Sequence, residues 1–294
     1  MKDTIVITGG AGFVGSNLIK HFIYKTNLKI ISIDDYSSGS IKNHIKNKRV
    51  IYIKENTENI KKVLKPYSKK INTIFHFGEF SRIHQSFIDI SDCMRSNISG
   101  TSEVFKFCLE KKIKIIYSAT SASLGNSGND QYLSPYSFTK SKNLKLLIQL
   151  NKWFGLKYEI LYFYNVYGKD QIRSGKMATV IGIFEYQYLN KKPLTVVRPG
   201  NQSRKFTHID DTVSGCYLAW KRNLNRHYSL SNNKSYSIRD VAKMFESKII
   251  LVKRKMGERF KSSDVNKANN IKIYKIPCKI SLKTYIKNFL RNCK

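Results

Sequence analysis

Carboxylates are scarce in this chain. Its 294 residues hold 20 Asp and Glu against 53 Lys and Arg, a formal charge of +33. Such an excess attracts acidic partners in principle: nucleic acid, an anionic membrane or a phosphorylated substrate. The lysines are scattered, however, often beside Asn and Ile, and form no basic arm and no nucleic-acid-binding motif. That pattern reads as a solvated lysine-rich surface, and no specific nucleic-acid partner is expected. Cysteine is sparse too. Cys93, Cys108, Cys216, Cys278 and Cys293 make no CxxC pair and no metal-ligand spacing, and their number is odd, which fits a reducing compartment and gives no metal site to expect. No apolar run approaches the roughly 18 residues of a membrane span. Met1 leads into a strand-like segment without a basic region, apolar stretch and cleavage site, so a cytoplasmic protein with no membrane span is expected. Internal repeats and low-complexity linkers are absent as well, and a hydrophobic share of 41% is that of an ordinary globular protein.

What the sequence does contain is an alternation. Thr4 to Thr8, Lys29 to Ile33, Thr73 to Phe77, Lys114 to Tyr117 and Tyr158 to Phe163 are short and rich in β-branched and aromatic residues, as strands are. Between them lie helical patterns at Ser16 to Tyr24, Val104 to Lys111 and Ser137 to Trp153. Strand and helix in turn imply a parallel sheet with right-handed crossovers, so the expected class is α/β: a doubly wound, Rossmann-type parallel sheet. After about Tyr167 the alternation loosens into a Gly/Ser/Lys-rich loop, a helix near Thr179 to Leu189 and a proline turn at Arg198 to Gly200. Residues 1–167 are expected to bind a dinucleotide. Residues 168–294 are expected to form a smaller substrate-binding region that sends segments back to the main sheet.

Three constellations carry chemistry. Gly9, Gly12 and Gly15, with Phe13 and Val14 between them, follow the first strand and open a helix. Unpaired N–H groups at a helix N-terminus bind a pyrophosphate, and glycine lets the backbone approach it. Nineteen residues past Gly15, at the end of the second strand, stands Asp34. An acid there accepts from the ribose hydroxyls and repels a 2'-phosphate, which favours NAD over NADP. Finally, Tyr136 and Lys140 stand four apart at the start of a long helix, on one face. A nearby ammonium stabilises a phenolate, so Tyr136 can exchange a proton. The strand-end cluster Ser118 to Gly125 adds hydroxyls where open α/β sheets place their ligands.

Taken together, TGGAGFVGSN, Asp34, the hydroxyl cluster ending in Gly125, SPYSFTKSK, FYNVYG at Phe163 to Gly168 and RKFTHIDD at Arg204 to Asp211 resemble the extended short-chain dehydrogenase/reductase family. Within it the chain is most similar to NAD-dependent sugar-nucleotide epimerases and dehydratases of the UDP-glucose 4-epimerase kind. The resemblance implies Tyr136 as base and acid, Lys140 as its electrostatic partner and ribose ligand, and Thr120 as the third catalytic hydroxyl, with Ser121 as a substitute if the loop is shifted. It matches Asn97 to the family's helix asparagine beside the site. Asn165 and Arg204 match residues that face and clamp the substrate diphosphate, and Lys255, Arg254 or Arg259 stands where a second phosphate cation is found. His208 and the two acids after it are read as helix start and packing.

The chain also departs from the pattern. Tyr162 replaces an arginine and Lys169 a proline, and Glu79 is an acid at a usually small or apolar position. Glu79 reads equally well as a substrate-shaping group or as a solvated loop carboxylate. Dehydratases of the family carry Asp-Glu directly after the catalytic Thr, where this chain has Ser121 and Ala122. The resemblance therefore implies epimerisation of a nucleotide-diphosphate sugar, at C4 through a transient 4-keto sugar, with bound NAD and a homodimer. A 4,6-dehydratase or 4-keto reductase of the same family is the alternative. A non-catalytic NAD- or RNA-binding protein is the rival from another class, and the intact Thr120, Tyr136 and Lys140 set speaks against it.

Overall fold

A computed structural model of the chain describes residues 2–253, 265 and 271–293. The first half runs β1 (Thr4–Thr8), α1 (Phe13–Lys25), β2 (Lys29–Asp34), β3 (Val50–Lys54), α2 (Ile60–Leu64) and β4 (Ile71–His76). Then come α3 (Gln85–Ile88), α4 (Ile90–Met94), α5 (Thr101–Lys111), β5 (Lys114–Thr120), α6 (Pro135–Phe154) and β6 (Tyr158–Phe163). Beyond these lie β7 (Asn165–Tyr167), α7 (Val180–Leu189), β8 (Leu194–Val197), β9 (Ser203–His208) and α8 (Ile209–Lys221). The described chain closes with β10 (His227–Leu230), β11 (Ser235–Ser237), α9 (Ile238–Lys243), β12 (Ile249–Val252), β13 (Ile273–Lys275) and α10 (Leu282–Arg291).

Eight of the strands form one parallel sheet in the order β13-β10-β6-β5-β4-β1-β2-β3. The order reverses between β1 and β4, and a doubly wound sheet opens its ligand crevice at that point. All five strands expected from the sequence are present. The short edge strand β3 comes in addition, in a lysine-flanked stretch that gave little pattern to read. The sheet also takes β10 and β13 from beyond residue 168. The smaller sheets, β11-β9-β7 and β12-β8, lie outside it.

Alternation along β1 explains how one sheet serves two cores. Ile5 and Ile7 pack with Leu18 and Phe22 of α1 and Val213 and Cys216 of α8. Val6, pointing the other way, packs with Phe105 and Cys108 of α5 and Leu144 and Leu147 of α6. A third core joins Phe184, Val196, Phe206, Phe245 and Ile286 in the C-terminal part. Strands buried on both faces have little room for polar groups, and those of β6 are paired. Glu159 of β6 is fully buried and accepts the N–H groups of Leu224 at 2.7 Å and Arg226 at 3.0 Å. Tyr162, where an arginine was expected from the family pattern, lies wholly inside with its hydroxyl 3.0 Å from His227 Nδ1.

Two strand histidines set a pH limit on the fold. Burial pushes His76 and His227 down to about 4, against about 6.5 in an unfolded chain. Between those values the unfolded chain binds the more protons. Stability from the two groups is therefore complete above about pH 6.5 and is lost as pH falls towards 4, by about 3 kcal/mol for each. Urea unfolding followed from pH 7 to pH 4 should show this fall, and His227→Gln should flatten the slope whatever it does to stability at pH 7.

Candidate active site

The Gly-rich turn leaves β1 with a left-handed residue, Gly9 at φ +70°, and runs against the end of β4. A Cβ on Gly9 would lie 2.9 Å from the backbone of Phe77 and Gly78, so the two strand ends meet with no space for a side chain. A Cβ on Gly15 would fall 2.1 Å from Gly9 O. These contacts fix where α1 begins. Its N-cap is Gly12, with no side-chain cap bond, so the first-turn N–H groups remain for an anion. Asp34 closes the turn from the side, accepting Ala11 N–H and Tyr36 N–H, both at 2.9 Å. Burial pushes its carboxyl above the usual carboxylate range, and these two bonds oppose that shift.

At the other end of the site Ser134 caps α6 by accepting Ser137 N–H at 3.1 Å, with Pro135 in the first turn. This start puts Tyr136 and Lys140 on successive turns of a helix that ends at left-handed Gly155. Ser86 Oγ accepts the Tyr136 N–H at 3.2 Å and so joins the segment after β4 to the helix start. Thr120 ends β5 and accepts Ala122 N–H at 3.4 Å, capping a short turn over Ser121–Ser123.

Glu79 lines the cavity and is not a solvated loop carboxylate. Its side chain is 2% exposed and forms an ion pair with Lys140, itself 5% exposed. Its other oxygen accepts from Thr101 Oγ1, Tyr117 Oη and Asn143 Nδ2, each at 3.1 Å. Burial holds the Tyr117 phenol well above its ordinary range, so it stays protonated and donates to Glu79. Lys140 Nζ also donates to Ser118 O and sits 4.6 Å over the Tyr117 ring. Thr101 passes the network on to His76 Nε2 at 2.9 Å, and His76 Nδ1 meets Thr8 Oγ1 at 2.8 Å. Asn97 completes it from a π-helical turn, Arg95–Gly100, reading both backbone groups of Phe80 and donating to Thr139 Oγ1 at 3.0 Å.

One cavity of about 940 Å³ runs between the two ends. Gly9, Gly12, Phe13, Val14, Gly15 and Asp34 line one part of it, and Thr120, Tyr136, Lys140 and Asn165 another. Arg204 stands on β9 and is not among the lining residues. Lys255, Arg254 and Arg259 lie outside the described residues. His208 caps α8, its Nδ1 accepting Asp210 N–H at 3.2 Å, as its reading as a helix start requires. Ser86 and Arg82, on a segment without a motif, and Tyr117 and Asn143, beside motifs but outside them, also line or support the site and were not legible as site residues.

Residues 5–231 match the model of the NAD dependent epimerase/dehydratase family. The chain belongs to that family. An uncharacterized UDP-glucose epimerase, YtcB, of Bacillus subtilis is 31% identical over 230 residues, 72% of this chain and 70% of that one. The solved UDP-N-acetylglucosamine 4-epimerase of Methanobrevibacter ruminantium, in complex with UDP-N-acetylmuramic acid, is 25% identical at a TM-score of 0.84, covering 100% of this chain and 98% of that one. The UDP-glucose 4-epimerase of Thermus thermophilus, in complex with NAD, has the same fold at a TM-score of 0.85 and 18% identity, covering 99% and 98% of the two chains. NAD is the cofactor of the family. The uncapped start of α1, the crowded glycines and the acid at the end of β2 fit it.

Removing one partner of a buried ion pair leaves the other charge without compensation, at a cost of about 3–5 kcal/mol. Glu79→Gln keeps the shape and removes the charge, so it should destabilise the protein by about that much. Urea unfolding checks this, and adding Lys140→Met should recover part of the loss. Unchanged stability in the single variant would mean that the pair is not closed as described.

Proposed function

We propose that this enzyme epimerises a nucleotide-diphosphate sugar at C4 through a transient 4-keto sugar. The observation that carries the reading is the placing of Thr120, Tyr136 and Lys140 in one cavity with the glycine turn and Asp34. In this reading residues 1–167 hold the cofactor and residues 168–294 shape the substrate side. Tyr136, as phenolate, takes the proton of the sugar hydroxyl, and Thr120 donates a hydrogen bond to the same oxygen. Lys140, one helical turn from Tyr136 and paired with Glu79, is assigned to the cofactor ribose. NAD, held by the glycine turn, Asp34 and Lys140, would supply a reversible hydride acceptor, so net redox would be zero. Asn165 and Arg204, with Lys255 from the sequence, are assigned to the diphosphate, whose binding energy holds the keto sugar while it turns.

Names of the related proteins support C4 as the centre, since two solved ones are 4-epimerases of UDP-sugars. The dehydratase alternative needs an acid and a base beside the catalytic Thr. Ser121 and Ala122 occupy those positions and are buried, and Glu79, the nearest substitute, is spent on Lys140.

Incubation with UDP-, GDP-, CDP- and dTDP-sugars in D₂O, resolved by NMR, tests the reading. Inverted product without a 4-keto-6-deoxy sugar is expected, and that sugar would sink the epimerase assignment. Tyr136→Phe should lower turnover by about two to four orders of magnitude with folding intact, and near-normal turnover would remove Tyr136 from the mechanism.

We also propose a homodimer through α5 and α6, a four-helix interface. α6 leaves Phe138 near its start and Trp153 and Phe154 at its end exposed, and a partner helix would cover them. Light scattering at micromolar concentration should give twice the chain mass, and a monomeric mass contradicts the proposal.

A further inference from the structure

Arg82 lines the cavity on the segment between β4 and α3. Its position relative to Tyr136 is fixed by two bonds. Ser86 N–H donates to Arg82 O at 3.1 Å, and Ser86 Oγ accepts the Tyr136 N–H at 3.2 Å. From that turn the guanidinium reaches across to the loop before α7. Nε donates to Met177 O at 2.8 Å, Nη2 donates to the same oxygen, and Nη1 donates to Ser81 O at 3.0 Å. A further contact, Nη1 to Ser81 Oγ at 3.4 Å, is long. Nη2 keeps one N–H, and a ligand that displaces the long Ser81 Oγ contact gains the second on Nη1, the pair of donors that takes both oxygens of a carboxylate.

Four basic residues line the cavity, and Lys176 among them stands exposed in solvent. Lys140 is neutralised by Glu79, and Arg95 by Asp92 and Glu58. Arg82 has no carboxylate partner among the described residues, and carbonyl and hydroxyl oxygens are all that it meets. Desolvation pulls its pKa below the ordinary arginine value, and the nearby Tyr136 opposes this. A half-buried cation held only by dipoles gains most from a ligand that brings the missing charge.

We propose that Arg82 selects a nucleotide sugar whose sugar ring carries a carboxylate, and that it clamps that carboxylate beside Tyr136. The inference rests on the nucleotide-sugar reading above and deepens it by naming the substrate class. Tyr136 marks the reacting end of the site, so an anion held next to it belongs to the sugar. A diphosphate offers the same chemistry to a guanidinium, and the experiment separates the two sources.

Matched pairs of neutral and acidic substrates provide the test: UDP-glucose with UDP-glucuronate, and GDP-mannose with GDP-mannuronate. Wild type should favour the acidic member of a pair by about 100-fold in kcat/KM, the scale of a desolvated charge pair. Arg82→Gln should remove that preference, with the loss confined to the acidic member. Arg82→Lys should restore part of it, since lysine keeps the charge and lacks the fork. Thermal unfolding of each variant separates lost recognition from lost fold, and an Arg82→Lys protein that folds normally with no partial recovery counts against the clamp. Neutral sugars turned over as well as acidic ones, or equal losses for both in Arg82→Gln, overturn the proposal and leave the epimerase reading standing. Calorimetry with UDP and GDP alone covers the other source: if Arg82→Gln weakens nucleotide binding as much as it weakens the acidic sugar nucleotide, Arg82 holds the diphosphate and the proposal fails. Loss of the nucleotide-sugar reading itself looks different, with no member of either pair or of the wider panel turned over by wild type.

Discussion

An ammonium group taken out of water has to be neutralised where it stands, and in this protein the group is Lys140, one helical turn from Tyr136. Lys140 cannot reach water for solvation, so its position is only as good as that of Glu79. Glu79 in turn is held by Thr101 of α5, Tyr117 of β5 and Asn143 of α6. One carboxylate therefore ties the end of β4 to the strand and the two helices that build the site. The arrangement is rigid because every member is satisfied, and a half-satisfied network in low dielectric costs more than an apolar core. It also removes the net charge of Lys140 from the cavity, which leaves the electrostatics of the substrate side to other cations.

The scarcity of acids acquires a meaning in this light. Among the described residues, three glutamates with buried side chains each face a base. Glu79 has Lys140, Glu159 has Lys114 at 3.6 Å, and Glu185 has Arg173 at 2.7 Å and the Tyr285 hydroxyl at 2.6 Å. Buried Asp34 is held instead by backbone N–H groups.

How much of this the sequence announced depends on range. The glycine turn, Asp34 and the Tyr136/Lys140 pair were legible because each is a local pattern with a fixed relation to a strand end or a helix turn, and the doubly wound sheet followed from the alternation around them. Glu79 was visible as an oddity and illegible as a counter-ion, since its partners lie 22 to 64 residues away and only the sheet order brings them together. Arg82 had no motif at all. Its importance comes from what surrounds it, the Met177 carbonyl above all, 95 residues along the chain. Arg204 matched a motif and stands on β9, outside the residues that line the cavity, so its assignment to the diphosphate rests on the motif alone.

The path of the chain through the sheet has a consequence for how the protein is made. A ribosome releases roughly 5–20 residues per second, so N-terminal units usually fold while the rest is still being made. Here the sheet that carries the glycine turn is finished by β10 and β13, whose residues emerge long after those of β1 to β6. Until His227–Leu230 arrives, β6 stands as an open edge, an exposed template for pairing with another chain. The nascent protein thus carries Tyr136 and Lys140 well before it can complete the sheet beside them.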